Sequence, residues 1–176
     1  TETAAESRKI EWYNYNGSTQ FPQYWIHGGA PVYLRDNNGF LEADIEHNDG
    51  NDQWYIIKTG EKCQGEDVFY LQNVQTMRYV YRGSQIGNTG GDWEYAEALL
   101  SSTNAQTDAY KWIIYTYNNQ TAVVNVGGFT GANFTNGAYM LHVRNWEAAG
   151  LFSNPNIPSP RMVCGKMANQ DRSPVF

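Results

Sequence analysis

Residues 53–83 read QWYIIKTGEKCQGEDVFYLQNVQTMRYVYRG, and residues 110–128 read YKWIIYTYNNQTAVVNVGG. In both stretches a tryptophan, Trp54 or Trp112, is followed by isoleucine and, after a turn, by an apolar triplet and an asparagine. Segments that repeat in the same order indicate one supersecondary unit used more than once. The β-branched residues beside each tryptophan favour a core position for both indoles.

Short runs of β-branched and aromatic residues recur along the rest of the chain, separated by turn signals such as Asn38-Gly39 and Asn136-Gly137. This alternation is typical of an all-β protein. Only residues 93–100, which read WEYAEALL, have a helix-friendly composition, and we expect one short helix there.

The length of 176 residues predicts a single β domain over residues 1–176. Residues 153–176 hold most of the prolines and few strand formers. Because proline interrupts the hydrogen-bond ladder of a sheet, we expect this segment to wrap over the surface of the domain.

Charge and hydropathy exclude several functional classes. The formal net charge is −6, so general binding to nucleic acid is disfavoured. No apolar run approaches the roughly 18 residues that a membrane-spanning helix needs.

Two cysteines and three glycosylation sequons bear on the compartment. Cys63 and Cys164 lack the spacing of a zinc site, and we expect them to form one disulfide, with two separate buried thiols as the alternative. The sequons begin at Asn16, Asn119 and Asn133. An even cysteine count together with these sequons predicts a secreted glycoprotein.

A resemblance to a known family starts at the first tryptophan. DQW at residues 52–54 and YLQN at residues 70–73 resemble the QxW-type signature and the repeat junction of ricin-B-like β-trefoil lectins. The resemblance covers about residues 32–143 and implies a pseudo-threefold barrel of short strands, with tryptophans in the core and sugar sites in the loops. Other small β-barrels and β-sandwiches have the same short-strand statistics and are the alternative folds.

The same resemblance implies a sugar-binding carboxylate at Asp44, with Asn48 or Asn51 as helpers in the next loop. It places the matching residue of the second repeat at Tyr81. A second candidate comes from the residues alone, because Asp92, Trp93 and Tyr95 lie in a long polar connection. A flat aromatic ring beside hydrogen-bond acceptors suits the two faces of a pyranose.

Catalysis has weaker support. Asp92, Glu94 and Glu97 could supply the two carboxylates of a glycosidase, but no opposing acidic strand is recognisable. The sequence contains no nucleophile elbow and no phosphate loop, and the oxygen-rich run at residues 46–52 lacks EF-hand spacing.

We therefore expect a carbohydrate-binding lectin without catalytic activity, cofactor or metal, with glycans or glycoproteins as partners. The alternative is a protein-binding β-barrel, such as a protease inhibitor or the receptor-binding subunit of a toxin, since long loops on a rigid barrel suit that task equally well. A glycosidase is the third hypothesis.

Overall fold

A computed structural model of the chain describes residues 6–12, 32–44, 46–87, 94–117, 120–131, 137–144 and 161–166. The prediction of an all-β protein is confirmed. The strands in these ranges are β1 (Ser7–Arg8), β2 (Glu11–Trp12), β3 (Val32–Asn37), β4 (Phe40–Asp44), β5 (Trp54–Cys63), β6 (Glu66–Asn73), β7 (Tyr79–Gly87), β8 (Glu94–Ser101), β9 (Trp112–Tyr117), β10 (Gln120–Asn125), β11 (Tyr139–Arg144) and β12 (Arg161–Lys166). A single turn of 3-10 helix spans Asp108–Tyr110.

The strands form one hydrogen-bonded network in the order β1-β5-β6-β9-β10-β11-β12-β4-β3-β2, with β7 and β8 bridging β6 to β12. Strands β1 and β2 are separated only by Lys9 and Ile10, and the carbonyl of Ile10 accepts from the Leu34 amide at 2.9 Å. The segment 6–12 therefore lies between β5 and β3 and closes the sheet into a ring, which leaves fewer open edges.

The described strands include three antiparallel hairpins, β3–β4, β7–β8 and β11–β12. The second strand of the last hairpin, β12, pairs antiparallel with both β4 and β8. Three hairpins meeting in this way are what a β-trefoil requires.

The two tryptophan-led units are held by the same bonds. The indole N–H of Trp54 donates to the Leu34 carbonyl at 2.8 Å, and that of Trp112 donates to the Val80 carbonyl at 3.1 Å. Both indoles are fully buried, so the prediction that they fill the core is confirmed. We call β3–β6 the first unit and β7–β10 the second, with Leu34 matching Val80.

An asparagine closes each unit opposite its tryptophan. Asn73 pairs with Trp54 across β5–β6, and Asn125 pairs with Trp112 across β9–β10. The Asn73 amide donates to the Asn51 carbonyl at 2.8 Å, three residues before Trp54. The Asn125 amide likewise donates to carbonyls in the loop before Trp112, those of Asp108, Ala109 and Lys111. The buried amides thus tie each loop to its barrel strand.

The predicted short helix at residues 93–100 is wrong, because residues 94–101 form β8. This strand pairs with β7 on one side and β12 on the other. Two ladders of backbone hydrogen bonds and the burial of Tyr95, Ala96 and Ala98 outweigh the helix propensity of the segment.

The prediction that residues 153–176 wrap over the surface is wrong for residues 161–166. These form β12, which pairs with β11 along its full length and also with β4 and β8. Met162 and Cys164 are buried in the core. The prolines of this segment lie outside β12, so they do not prevent this strand from joining the sheet.

The predicted disulfide is also wrong, since Cys63 and Cys164 are both free. Cys164 lies in the core cluster that contains both tryptophans, whereas Cys63 packs at the edge of a second cluster around Val68 and Ile113. The two thiols are separate, as in the alternative stated above, although only Cys164 is fully buried.

Candidate functional site

The candidate site is the loop after β4, residues 46–53, which we call the site loop. Two cations attach it to the barrel. Lys9 forms ion pairs with Glu46 and with Asp52, the latter at 3.5 Å. Arg35 on β3 contacts Asp49 at 2.5 Å. The loop is therefore held from the closing segment 6–12 and from β3 at once.

Arg35 also forms an ion pair with a second carboxylate. Its Nη1 donates to Glu42 on β4 at 2.6 Å, and both side chains are nearly fully buried. The position of Arg35 follows from the Asn38-Gly39 turn. The φ angle is positive at both turn residues, as a type I′ hairpin requires. That two-residue turn places Arg35 directly opposite Glu42.

The charges in this network shift one another's pKa values. Burial raises the pKa of Glu42, and the bond from Arg35 only partly offsets the effect. Burial alone would also raise the pKa of Asp49, but the amide of Asn51 and the Arg35 guanidinium lower it overall. Burial would lower the pKa of Arg35, but its two carboxylates, Glu42 first, raise it.

Asp44, the predicted sugar-binding carboxylate, ends β4 beside this network. Its Oδ2 contacts His47 Nε2 at 2.9 Å, and the side chains of Asp44 and His47 are 16% and 39% exposed. Tyr33 lies directly opposite Asp44 in the β3–β4 ladder, and the ammonium of Lys9 lies 5.1 Å from the centre of its ring. A carboxylate, an imidazole and a phenol are thus brought to one place.

The predicted helpers lie in the same loop but have different environments. Asn48 is exposed and has a φ of 57°, a left-handed conformation that asparagine tolerates. Asn51 contributes its backbone, since its carbonyl accepts from the Asn73 amide and from the Asp36 N–H. The sugar-binding roles of Asp44, Asn48 and Asn51 stay predictions.

The other predicted binding residues divide into two groups. Asp92 and Trp93 lie outside the described residues. Tyr95 is fully buried in β8, so the prediction that its ring stacks on a sugar is wrong. Its phenol lies in the core because β8 is a strand paired on both sides.

Of the carboxylates considered for catalysis, only the side chain of Glu97 is described. Its Oε1 accepts from the Ser84 amide at 3.2 Å, at the irregularity where β7 bulges against β8. The sequon asparagines Asn16, Asn119 and Asn133 also lie outside the described residues. Within the described ranges, no three His, Cys, Asp or Glu side chains gather as a metal site would require.

The second unit has a different set of residues at the corresponding position. Tyr79 lies opposite Ser101, as Tyr33 lies opposite Asp44, so the counterpart of Asp44 is Ser101. The sequence match of Asp44 with Tyr81 is therefore wrong. Tyr81 instead corresponds to Arg35 and stacks on Tyr110, with ring centroids 4.8 Å apart.

A buried carboxylate organises the opposite end of the β3–β4 hairpin. Asp36 is fully buried and accepts from the Gly39 amide at 2.7 Å, the Thr76 hydroxyl at 2.6 Å and Arg78 Nη1 at 3.1 Å. It thereby joins the hairpin tip to the turn between β6 and β7. We call this group of residues the Asp36 hub.

Sequence reasoning missed Tyr33, Arg35 and His47. A signal existed for the first two, because a two-residue turn at Asn38-Gly39 sets the register and pairs them with Asp44 and Glu42. The contact between His47 and Asp44 depends on the path of the site loop, which has no such signal.

In the described residues, the fold and site define an all-β protein with two matching tryptophan-led units and a site loop held by three ion pairs. No protein-family model matches the chain, and no curated protein matches it. Solved structures do. A Caenorhabditis elegans protein of unknown function has a TM-score of 0.56 and 13% identity, covering 99% of this chain and 93% of that one.

The Rhizoctonia solani agglutinin is also similar, with a TM-score of 0.48 and 15% identity over 94% of this chain and 98% of the other. At these identities, the likeness to the Caenorhabditis elegans protein shows a shared fold. No helix in the described residues is long and apolar enough to cross a bilayer.

Proposed function

We propose that the protein binds carbohydrate at the surface formed by Asp44, His47 and Tyr33, without catalysing a reaction. The observation that carries the proposal is the Asp44–His47 pair, 16% and 39% exposed, where β4 meets a loop attached by ion pairs on two sides. A sugar hydroxyl both donates and accepts hydrogen bonds, so a carboxylate beside an imidazole matches it.

The attachment of the loop supports binding because it lowers the entropy lost when a ligand orders the site. Lys9 and Arg35 hold the site loop before any ligand arrives. Asn48, exposed in the same loop, supplies an amide that we assign as a further hydrogen-bond partner. Shallow sites of this kind bind single sugars with micromolar to millimolar dissociation constants.

Secretion is part of the proposal. It is supported by the three sequons at Asn16, Asn119 and Asn133 and by the polar, Asn-rich sequence. Because both cysteines are free, a disulfide does not support secretion.

The test is a glycan array followed by calorimetry with the neutral sugars that bind. Asp44→Asn keeps the size of the side chain and removes its charge, and we expect binding about tenfold weaker, because hydrogen bonds to charged groups contribute about 1.5–3 kcal/mol. The matched control is Asp67→Asn, a carboxylate on the β5–β6 hairpin that pairs with Lys58 and Lys62. Thermal unfolding of both variants separates loss of binding from loss of fold.

Two results would refute the proposal. One is an array and a calorimetric titration that both show no sugar bound by the wild-type protein. The other is sugar binding that Asp44→Asn leaves unchanged while the variant remains folded.

A further inference from the structure

The cations of the candidate site are already engaged by carboxylates. Lys9 and Arg35 each form ion pairs with two carboxylates at once. The four partners are Glu46 and Asp52 for Lys9, and Glu42 and Asp49 for Arg35. Asp44, which contacts His47, adds a fifth carboxylate. With the imidazole neutral, five carboxylates face two cations, which leaves three negative charges in excess.

The neighbouring elements do not reverse this balance. Besides Lys9, the closing segment 6–12 carries one arginine and two glutamates. Arg161 on β12 lies opposite Glu42 in the β4–β12 ladder, and including it still leaves two negative charges in excess. Residues 13–31, which connect β2 to β3, contain no lysine and no arginine. The charge at the site is therefore negative overall.

The ring of Tyr33 is a second feature that favours a cation. Tyr33 is half-buried and lies directly opposite Asp44 in the β3–β4 ladder. The ammonium of Lys9 lies 5.1 Å from the centre of this ring, so the fold itself holds an ammonium beside it. Burial raises the pKa of Tyr33, and the charges of three carboxylates, Glu11 first, raise it further against the effect of Lys9. The ring therefore lies in a negative potential and stays uncharged at neutral pH.

We propose that this site binds saccharides that carry a protonated amine, with the ammonium donating to Asp44 beside the ring of Tyr33. This preference rests on the function proposed above and narrows the ligand to one chemical class. An ammonium group has three donors and no acceptor, which suits a carboxylate next to an aromatic face. A ligand carboxylate has only acceptors, and both cations here already pair with carboxylates, so uronic acids should bind worst.

Methyl glucoside and methyl galactoside supply matched probes. Replacing the hydroxyl of carbon 2 or carbon 6 with an amine gives a cation of nearly the same size. Acetylating that amine removes the charge, and oxidising carbon 6 to a carboxylate reverses it. We define the amine preference as the dissociation constant of the parent glycoside divided by that of its amino form.

Calorimetry in low salt at about pH 6.5, where such an amine is protonated, should give an amine preference of about ten for at least one amino glycoside. The acetylated form should bind no more tightly than the parent, and both uronosides should bind more weakly. Raising the ionic strength to about 0.5 M should reduce the amine preference, because salt screens partly exposed charges.

Three variants test the assigned residues. Asp44→Asn should lower the amine preference to about three or less, because the ammonium loses its charged acceptor. Tyr33→Leu should lower it about threefold by removing the aromatic face. Lys9→Gln should raise it, since the variant removes a positive charge that repels the ligand, and a residue that only holds the loop would not have this effect.

The matched control is Asp67→Asn on the β5–β6 hairpin, which removes the same charge away from the site and should leave the amine preference unchanged. It separates binding at Asp44 from attraction by the net charge of −6. Thermal unfolding of each variant shows whether the fold is retained.

An amine preference of about one in the wild-type protein overturns the proposal, and the function proposed above stands if the parent glycosides bind. Binding of no probe also overturns it, whereas the proposed function fails only if the glycan array is blank as well. An amine preference that Asp44→Asn leaves unchanged, or that Asp67→Asn lowers equally, overturns it too, because the attraction then comes from the protein as a whole.

Discussion

The loops that precede Trp54 and Trp112 are attached to the barrel by different interactions, although the tryptophans are held alike. In the first unit, Arg35 joins the site loop through an ion pair with Asp49. In the second unit, Tyr81 takes the place of Arg35 and stacks on Tyr110. A partly exposed charge pair depends on salt and pH, whereas an aromatic stack does not. The site loop is held by three ion pairs, whereas the loop before Trp112 combines the stack with one ion pair, Lys111–Glu61. The two loops should therefore differ in how strongly they respond to salt and pH.

The bonds common to both units are those that set the fold. Each indole donates to a carbonyl of the preceding hairpin, and each closing asparagine donates to the loop before its tryptophan. These bonds use backbone acceptors, so they are independent of which side chains the loops carry. The variable positions, such as Asp44 against Ser101, lie outside this frame.

The largest expected effect is loss of a tryptophan. Trp54→Ala and Trp112→Ala should each lower the free energy of unfolding by about 3–5 kcal/mol, since each leaves a large cavity and a carbonyl without its donor. Urea denaturation measures both. Met77→Ala, at an exposed position, is the control and should change stability by less than about 0.5 kcal/mol. If replacing either tryptophan lowers the free energy of unfolding by less than about 1 kcal/mol, the two units are not equivalent.

Arg35→Met should be nearly as damaging, at about 3–5 kcal/mol, because it leaves Glu42 buried without a counter-charge. The double variant Arg35→Met with Glu42→Leu should recover most of this loss, as apolar packing replaces the ion pair. Failure of the double variant to recover would show that Arg35 stabilises mainly through Asp49. The matching change Tyr81→Leu should cost about 0.5–1.5 kcal/mol for the lost stack.

The closing asparagines should have intermediate effects. Asn73→Ala and Asn125→Ala each remove a buried amide that bonds several backbone groups, and should each cost about 1–3 kcal/mol. Asn→Asp at either position is a stricter test, because a carboxylate cannot donate to the loop carbonyls. If chemical denaturation shows no loss of stability for one of these variants, the loop next to that asparagine is held by other bonds.

The smallest expected effect is a pH dependence that is larger in the first unit than in the second. The lowered pKa of Asp49 means that its stabilising contribution is present above its ordinary value of 3.8 and is lost as pH falls through the folded-state pKa. Glu42 has the opposite sign, since its raised pKa means that acid favours its folded form. Of these two carboxylates, only Asp49 belongs to the site loop, so acid should release this loop first.

Hydrogen exchange measures that release. Protection factors at residues 46–53 should fall below about pH 4, while those at residues 102–111 fall less. Asp49→Asn should reduce the difference between neutral and acid conditions, with the ion pairs of Glu46 and Asp52 accounting for the rest. A parallel loss in both loops would mean that the whole barrel opens instead.

Much of the fold could be predicted from the sequence because its signals are local. The β-branched runs and the Asn38-Gly39 turn predict strands and even the register that pairs Arg35 with Glu42. Strand β8 could not be predicted, since its alanines and glutamates favour a helix until β7 and β12 pair with it. The contacts of the site are similarly non-local, as Lys9 meets Glu46 of the site loop from 37 residues earlier in the chain.

The placement of Cys164 gives the protein a built-in probe of its own unfolding. Complete burial raises the pKa of this thiol to about 12, so at neutral pH almost no thiolate forms in the closed state. Cys63 is half-buried and can react while the barrel stays intact. The rate at which an alkylating reagent modifies the slower thiol then reports how often strands β8, β11 and β12 separate, without any added label.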